Sequence, residues 1–242
     1  MSTRKSTRPT PAGAAMTAAA ALQLCLACPA APAATPEDLA ALTCTEIRDG
    51  WRIRSLPPRA SLDAALLAEA AQGGENWLDA PAMPTTVHDT LLRHREIEPP
   101  WLPNGTEKCF WVGTRDWIYA VRFTVRDLLP DARLRFQGIS NKADLYLNGK
   151  HLARHHAKLP LTVDVGPYLA RENVLVLHCH AEFSEEEGAR RARGTYLCPN
   201  PPIASAGIFD KVFLETSRGH RLEEVVADSS LNEELAGGTV TV

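Results

Sequence analysis

The sequence predicts an all-β protein, an antiparallel sandwich or barrel. Two observations carry that expectation. Apolar residues recur at every second position in several short stretches, and Gly, Pro and Asn punctuate those stretches at close intervals. Period two places one face of a strand in a core and the other in water.

Between Leu56 and Gln72 the period changes to that of a helix. After Pro57-Pro58, a start at Ala60 or Ser61 puts Leu62, Ala65, Leu66 and Glu69 at helical intervals, and Gly73-Gly74 ends the run. A second short helix is predicted after Pro84-Thr85-Thr86, carrying Val87, Leu91 and Leu92, and Pro99-Pro100 closes the segment behind it. Neither has the length or charge pattern of a membrane or coiled-coil element. Both are expected to pack at one edge of the sandwich.

Strands follow. Trp117, Tyr119, Val121, Phe123 and Val125 share one face of a long one, so Trp117 reads as core. Leu134, Phe136 and Gly138 alternate with Arg133, Arg135 and Gln137, and Ala143, Leu145 and Leu147 alternate with Asp144, Tyr146 and Asn148. Asn148-Gly149 tolerates positive φ and predicts a tight hairpin. Leu159, Leu161, Val163 and Val165 share the next face. Val174–Leu177 is nearly continuously apolar, which predicts a strand covered on both sides. Ile208 to Leu214 reads as one further strand.

The bounds agree with one sandwich and part of another domain. The chain has 242 residues and a net charge of only −3, so it carries no electrostatic footprint for nucleic acid. Residues 1–34 read as a secretory leader. Arg4, Lys5 and Arg8 open it, Ala12 to Ala27 is apolar and uncharged, and Ala31-Pro32-Ala33 offers small residues for cleavage. The apolar run is too short and Ala-rich to span a bilayer. The expected location is therefore secreted or periplasmic. Four cysteines remain, Cys44, Cys109, Cys179 and Cys198, with three possible pairings. Cys179 shares a strand face with Leu175 and Leu177, where a buried free thiol is the commoner arrangement, and no bridge is assigned.

Six segments then stand in a telling order: "DGWRIR" (49–54), "NWLDAPAMPTTVHDTLLRHREIEPPW" (76–101), "NGTEKCFWVGTRDWIYAVRF" (104–123), "GISNKADLYLNGKHLARH" (138–155), "LTVDVGPYLARENVLVL" (161–177) and "AGIFDKVFLE" (206–215). Together they resemble the N-terminal sandwich of glycoside hydrolase family 2, especially its β-mannosidase-like branch. The resemblance implies a jelly-roll, galactose-binding-like β-sandwich over 35–218. It implies that 219–242 begins an immunoglobulin-like sandwich, which is expected to be incomplete because one or two strands cannot bury a face of their own. It also implies a third domain, a barrel bearing two catalytic carboxylates. Such a barrel needs roughly 250 residues, and the chain has no room for one.

No catalytic residue is therefore assigned. Asn232-Glu233 superficially matches the family's acid/base pair, but it lies in the polar turn "DSSLNEELAGG". No nucleophile elbow, phosphate loop or zinc-ligand spacing is present, and no cofactor is expected. His155-His156 point to opposite faces of a strand. His178 and His180 share a face, but two ligands without a third nearby make no metal site. The charged stretch "SEEEGARRARG" (184–194) reads as a solvated loop.

A sugar site needs aromatic faces for pyranose rings and polar groups for hydroxyls. Trp101, Asn104, Asp116, Tyr196 and Asn200 are the candidates. In the β-mannosidase branch a Gly-Trp-Asp-Trp-Gly-Pro loop reaches the barrel's active site. Its counterpart here is Gly194-Thr-Tyr-Leu-Cys-Pro199, without the tryptophans and the aspartate. The family's Asp-Pro is likewise Pro99-Pro100. Both departures bear on mannoside specificity and neither on the fold. The expected function is the non-catalytic N-terminal part of an exported glycosidase, with a β-glycoside substrate and an intramolecular barrel as partners. The alternatives are a stand-alone lectin-like module and a purely structural sandwich.

Overall fold

The computed structural model describes residues 42–140, 142–156, 159–184, 186, 203, 206–219, 226–232 and 238–241. Alternating residues build two antiparallel sheets in it. The first has four strands: β1 (Leu42–Glu46), β12 (Val212–Ser217), β6 (Asp131–Phe136) and β9 (Leu161–Asp164), in that order. The second has six: β3 (Leu78–Asp79), β2 (Arg52–Leu56), β5 (Asp116–Thr124), β10 (Glu172–Cys179), β7 (Ala143–Leu147) and β8 (Lys150–His155). Their facing sides make the main core. Leu134, Phe136, Val212 and Leu214 from the first sheet meet Ile53, Tyr119, Leu145, Leu175 and Leu177 from the second. Trp117 lies in this core, as the alternation predicts.

The six-stranded sheet is covered on its outer side as well. Helix α1 (Ala64–Gln72) brings Ala70, Leu66 and Leu67 onto Ile118, Ala120 and Val176. This is why Val174–Leu177 has no polar face. The helix lies over central strands, where an edge position is expected from sequence. It starts at Asp63, later than Ala60 or Ser61, because the Asp63 carboxylate accepts a hydrogen bond from the Leu66 N–H at 2.8 Å. It stops at Gly73, whose φ of +79° no β-carbon tolerates well, least of all one placed against the Arg52 guanidinium.

Helix α2 (Val87–Arg93) begins at Thr86, where Thr86 and Asp89 form a reciprocal capping box. Val87 and Leu91 anchor it in the main core. The strand expected from Ile208 to Leu214 is two elements. β11 (Gly207–Ile208) leaves the sandwich sheets to pair with β4 (Thr85–Thr86), and β12 resumes only at Val212. Lys211 and Asp210 turn the chain between them. Beyond them, β13 (Asp228–Leu231) and β14 (Gly238–Thr241) pair antiparallel.

The Asn148-Gly149 turn is as predicted, with φ values of 52° and 81°. Its side chain also ties three segments together. The Asn148 amide donates to the Tyr168 carbonyl at 2.9 Å and to Asn173 Oδ1 at 3.0 Å, and its carbonyl accepts the Val174 N–H at 2.9 Å. Asn148→Ala loses these bonds and puts a residue less tolerant of positive φ than Asn at that position. The expected loss is about 1–3 kcal/mol of unfolding free energy, read by urea denaturation. A loss under about 0.5 kcal/mol would mean that water replaces the network.

Candidate functional site

Of the five predicted sugar residues, the structure describes three, Trp101, Asn104 and Asp116. Trp101 is 77% exposed and stands in the turn that leads into helix α3 (Gly105–Lys108). Asn104 caps that helix at a φ of 60° without a side-chain hydrogen bond to it, so the two share one exposed turn. The turn is held firmly: a β-carbon on Gly105 would lie 2.4 Å from the Pro99 carbonyl oxygen, and Thr106 Oγ1 donates to the Pro100 carbonyl at 3.1 Å. Tyr196, Asn200 and the Gly194–Pro199 loop lie outside the described residues, as does Glu233.

Asp116 corrects the sequence reading. It opens β5 but turns to the outer side of the sheet, where it is only 1% exposed and already fully engaged. One carboxylate oxygen accepts the Ala181 N–H at 2.8 Å and the other meets His178 Nε2 at 2.9 Å. Buried this far, neither carboxylate oxygen is exposed to a passing sugar hydroxyl.

The surroundings of Asp116 form a polar cluster that the sequence did not reveal. β10 places His178 and His180 on one side, and β7 runs beside it with Asp144 directly opposite His178. His180 bridges the two carboxylates. Its Nε2 lies 2.8 Å from Asp144 Oδ2, and its Nδ1 lies 3.6 Å from Asp116 Oδ2. Asp144 is itself fastened by Arg154 Nε and His151 Nε2 from β8, each at 2.9 Å from Oδ1. The two imidazoles of His178 and His180 stand with ring centroids 4.3 Å apart. Alternation marks each of these residues as off the core face, but only the β5–β10–β7–β8 pairing gathers them.

The electrostatics follow from the geometry. Burial works against a charge on Asp116, but the hydrogen bonds from His178 and the Ala181 N–H, with the His180 imidazole close by, outweigh it and hold the carboxyl well below the usual range. Asp144 behaves alike: burial opposes its charge, and Arg154, His151 and His180 overcome the penalty. The Asp116 carboxylate raises the His180 pKa, burial opposes the rise, and Asp144 adds to it. On the other side of the same strand, burial pushes the Cys179 thiol up to about 12. Cys44, Cys109 and Cys179 are all free thiols, in keeping with the reading of Cys179.

Among the described residues, two grooves offer room for a ligand. One of about 660 Å³ runs along β1 and the end of β5, between Arg48, Asp49, Arg122, Arg126 and Arg218. The other, of about 220 Å³, lies between Glu75, Asn76, Glu96 and the rings of Trp111 and Trp117. Of the described candidates, Trp101, Asn104 and Asp116 line neither groove. Trp111, which is 39% exposed, is an aromatic face that sequence reasoning passed over.

Comparison with known proteins agrees with this architecture. Residues 67–214 match the family described as glycosyl hydrolase 2 galactose-binding domain-like. Among solved structures, the β-D-mannosidase from Dictyoglomus thermophilum superposes with a TM-score of 0.59 at 20% identity, over 79% of this chain and 24% of that one. A β-glucuronidase from an uncultured Clostridium sp. gives 0.51 at 18% identity, over 83% and 33%. A Ruminococcus gnavus β-glucuronidase gives 0.52 at 15% identity, over 80% and 32%. At these identities the likeness is one of fold. The chain spans about a quarter to a third of the length of these proteins. No curated protein sequence matches it. The family match covers more than half of the chain and takes in the core strands of both sheets, so this protein belongs to the galactose-binding-domain-like family of glycosyl hydrolase 2 sandwiches.

Proposed function

We propose that this chain is the non-catalytic N-terminal part of an exported glycosidase acting on a β-glycoside, and that its sandwich helps to wall the substrate cleft. The observation that carries the reading is Trp101. A tryptophan 77% exposed, on a turn braced by Pro99-Pro100 and Gly105, is a rigid apolar plate that the described residues leave largely uncovered. Such a plate suits a pyranose face. The leader-like composition of residues 1–34 supports export. The family supports a β-glycoside substrate and a barrel as the intramolecular partner.

A contact at the rim of the cleft lies away from the bond that breaks, so it acts mainly on binding. In the complete glycosidase, Trp101→Ala is expected to raise KM several-fold, equivalent to about 1 kcal/mol, with little change in kcat. Tyr196→Ala, in the loop that corresponds to the branch's Trp-Asp loop, is expected to act in the same sense. Steady-state kinetics with a melting curve for each variant decides. Unchanged kinetics with a lowered melting temperature would assign both rings to packing against a neighbouring domain.

A stand-alone carbohydrate-binding module is the second reading. The groove beside Trp111, with Glu75, Asn76 and Glu96 as hydroxyl partners, is the observation in its favour. Glycan binding by this chain alone, lost in Trp111→Ala and kept in Trp101→Ala, would select it.

A further inference from the structure

We propose that Asp116, His178 and His180 form a binding site for a divalent transition-metal ion of the zinc class, with Asp144 as the residue that orients His180. Nothing in the family match or in the likeness to glycosidase structures assigns such a site.

The donor atoms already converge. One oxygen or nitrogen from each of Asp116, His178 and His180 lies within 4.8 Å of the other two. A tetrahedral zinc ion with ligands at about 2.0–2.1 Å separates them by roughly 3.3 Å. Asp116 Oδ2 stands 2.9 Å from His178 Nε2, in a hydrogen bond whose proton the ion would displace to the His178 Nδ1 or to solvent, and 3.6 Å from His180 Nδ1, on either side of that value. Movements of a few tenths of an ångström would complete the arrangement.

The His180 contacts point the same way. Its Nε2 lies 2.8 Å from Asp144 Oδ2, an arrangement in which the ring donates a proton to a carboxylate. That leaves Nδ1 as the unprotonated nitrogen, 3.6 Å from Asp116 Oδ2. At 3.6 Å this pair is too long for a hydrogen bond, and two electron-rich atoms facing each other repel unless a cation lies between them. A histidine ligand backed by a carboxylate on its other nitrogen is a recurrent device for fixing tautomer and ring angle at metal sites. Asp144 is in turn held by Arg154 and His151, so it cannot swing away.

Sheet geometry makes the site rigid. His178 and His180 are two apart on β10 and must share a side, and β5 and β7 flank that strand. The His180 N–H to Lys142 carbonyl bond at 2.9 Å carries the ladder past the formal end of β10. His178 and Asp116 are almost wholly buried, while the His180 side chain is 28% exposed and leaves a solvent side for entry and for a fourth ligand. Two imidazoles and one carboxylate favour a borderline ion such as Zn²⁺ over Mg²⁺ or Ca²⁺, which prefer all-oxygen shells.

A proton on His180 Nδ1 is the competing occupant of the same gap, and the test separates the two. The untagged chain is stripped with a chelator and titrated with Zn²⁺ by calorimetry, and with Co²⁺ by visible absorption. The expected result is one equivalent of Zn²⁺ at micromolar or lower concentration, a tetrahedral Co²⁺ spectrum that Zn²⁺ displaces, and a raised melting temperature. Asp116→Asn and His180→Gln should each weaken Zn²⁺ binding at least tenfold. Asp144→Asn should weaken it about 10–100-fold through the lost orientation of His180. His156→Gln, on an exposed histidine next to β8, should leave it unchanged. His180→Gln changes the most exposed of the three ligands and is the variant to rely on if Asp116→Asn fails to fold. Absence of saturable Zn²⁺ and Co²⁺ binding to the wild-type chain would overturn the proposal and leave the proton as occupant. Binding that survives His180→Gln in a folded variant would overturn it equally.

Discussion

A chain of residues 1–242 is expected to hydrolyse no aryl β-mannoside, β-galactoside, β-glucuronide or β-glucosaminide. Retaining hydrolysis requires two carboxyl groups roughly 5 Å apart in an open cleft, one ionised and one protonated. The carboxylates that the structure draws into one cluster fail on both counts. Asp116 and Asp144 are almost wholly buried, and their cationic and N–H partners hold both well below the usual carboxylate range. A general acid needs the opposite shift, upward, to keep its proton near neutrality. Neither group can supply that proton, and no sugar can reach between them. The measurement is release of chromophore from each glycoside by purified chain. Turnover that disappears in Glu233→Gln would overturn the expectation and move the chemistry into the "LNEEL" turn.

Trp51→Ala is expected to remove about 3–5 kcal/mol of stability, a large part of the roughly 5–15 kcal/mol that a domain has. Trp51 immediately precedes β2 and lies in the main core. It is 1% exposed, donates its indole N–H to the Ile47 carbonyl at 3.0 Å, and stands edge-on to Tyr119 at 6.4 Å. Its own carbonyl accepts the Ala80 N–H at 2.9 Å, so its backbone is pinned and cannot collapse into the vacated volume. A cavity that cannot close adds its own cost to the lost transfer free energy. A chain of this size should melt roughly 6–20 °C lower. Denaturant unfolding of wild type and variant checks the value, and Trp51→Phe should recover part of it. A loss near 1 kcal/mol would show that neighbouring side chains refill the site.

Much of the fold was legible because strand alternation is a local property. Leu134 and Phe136, Ala143 to Leu147, and Trp117 to Phe123 announce their faces within a few residues, and the Asn148-Gly149 turn declares its own backbone angles. The six ordered segments carried the family. What alternation cannot express is the identity of a strand's neighbour. Ile208 to Leu214 reads as one strand because its composition is continuous, yet Ile208 finds Thr85 and not the partner of Val212. The helix over Ile118 and Val176 is equally silent in its own sequence beyond its apolar residues.

The candidate site divides in the same way. Sequence alone determined that Trp101 is exposed, since a tryptophan after two prolines in a loop has no strand face to hide on. It also determined that His178 and His180 point the same way. Only the tertiary structure decided that Asp116 is not a sugar ligand and that Asp144 completes the histidine pair. Asp116 precedes His178 by 62 residues, and Asp144 precedes His180 by 36, so no local pattern records their meeting. Hydrogen-bond register between β5, β10, β7 and β8 sets those distances to within an ångström, and register is a property of paired strands that no single strand contains.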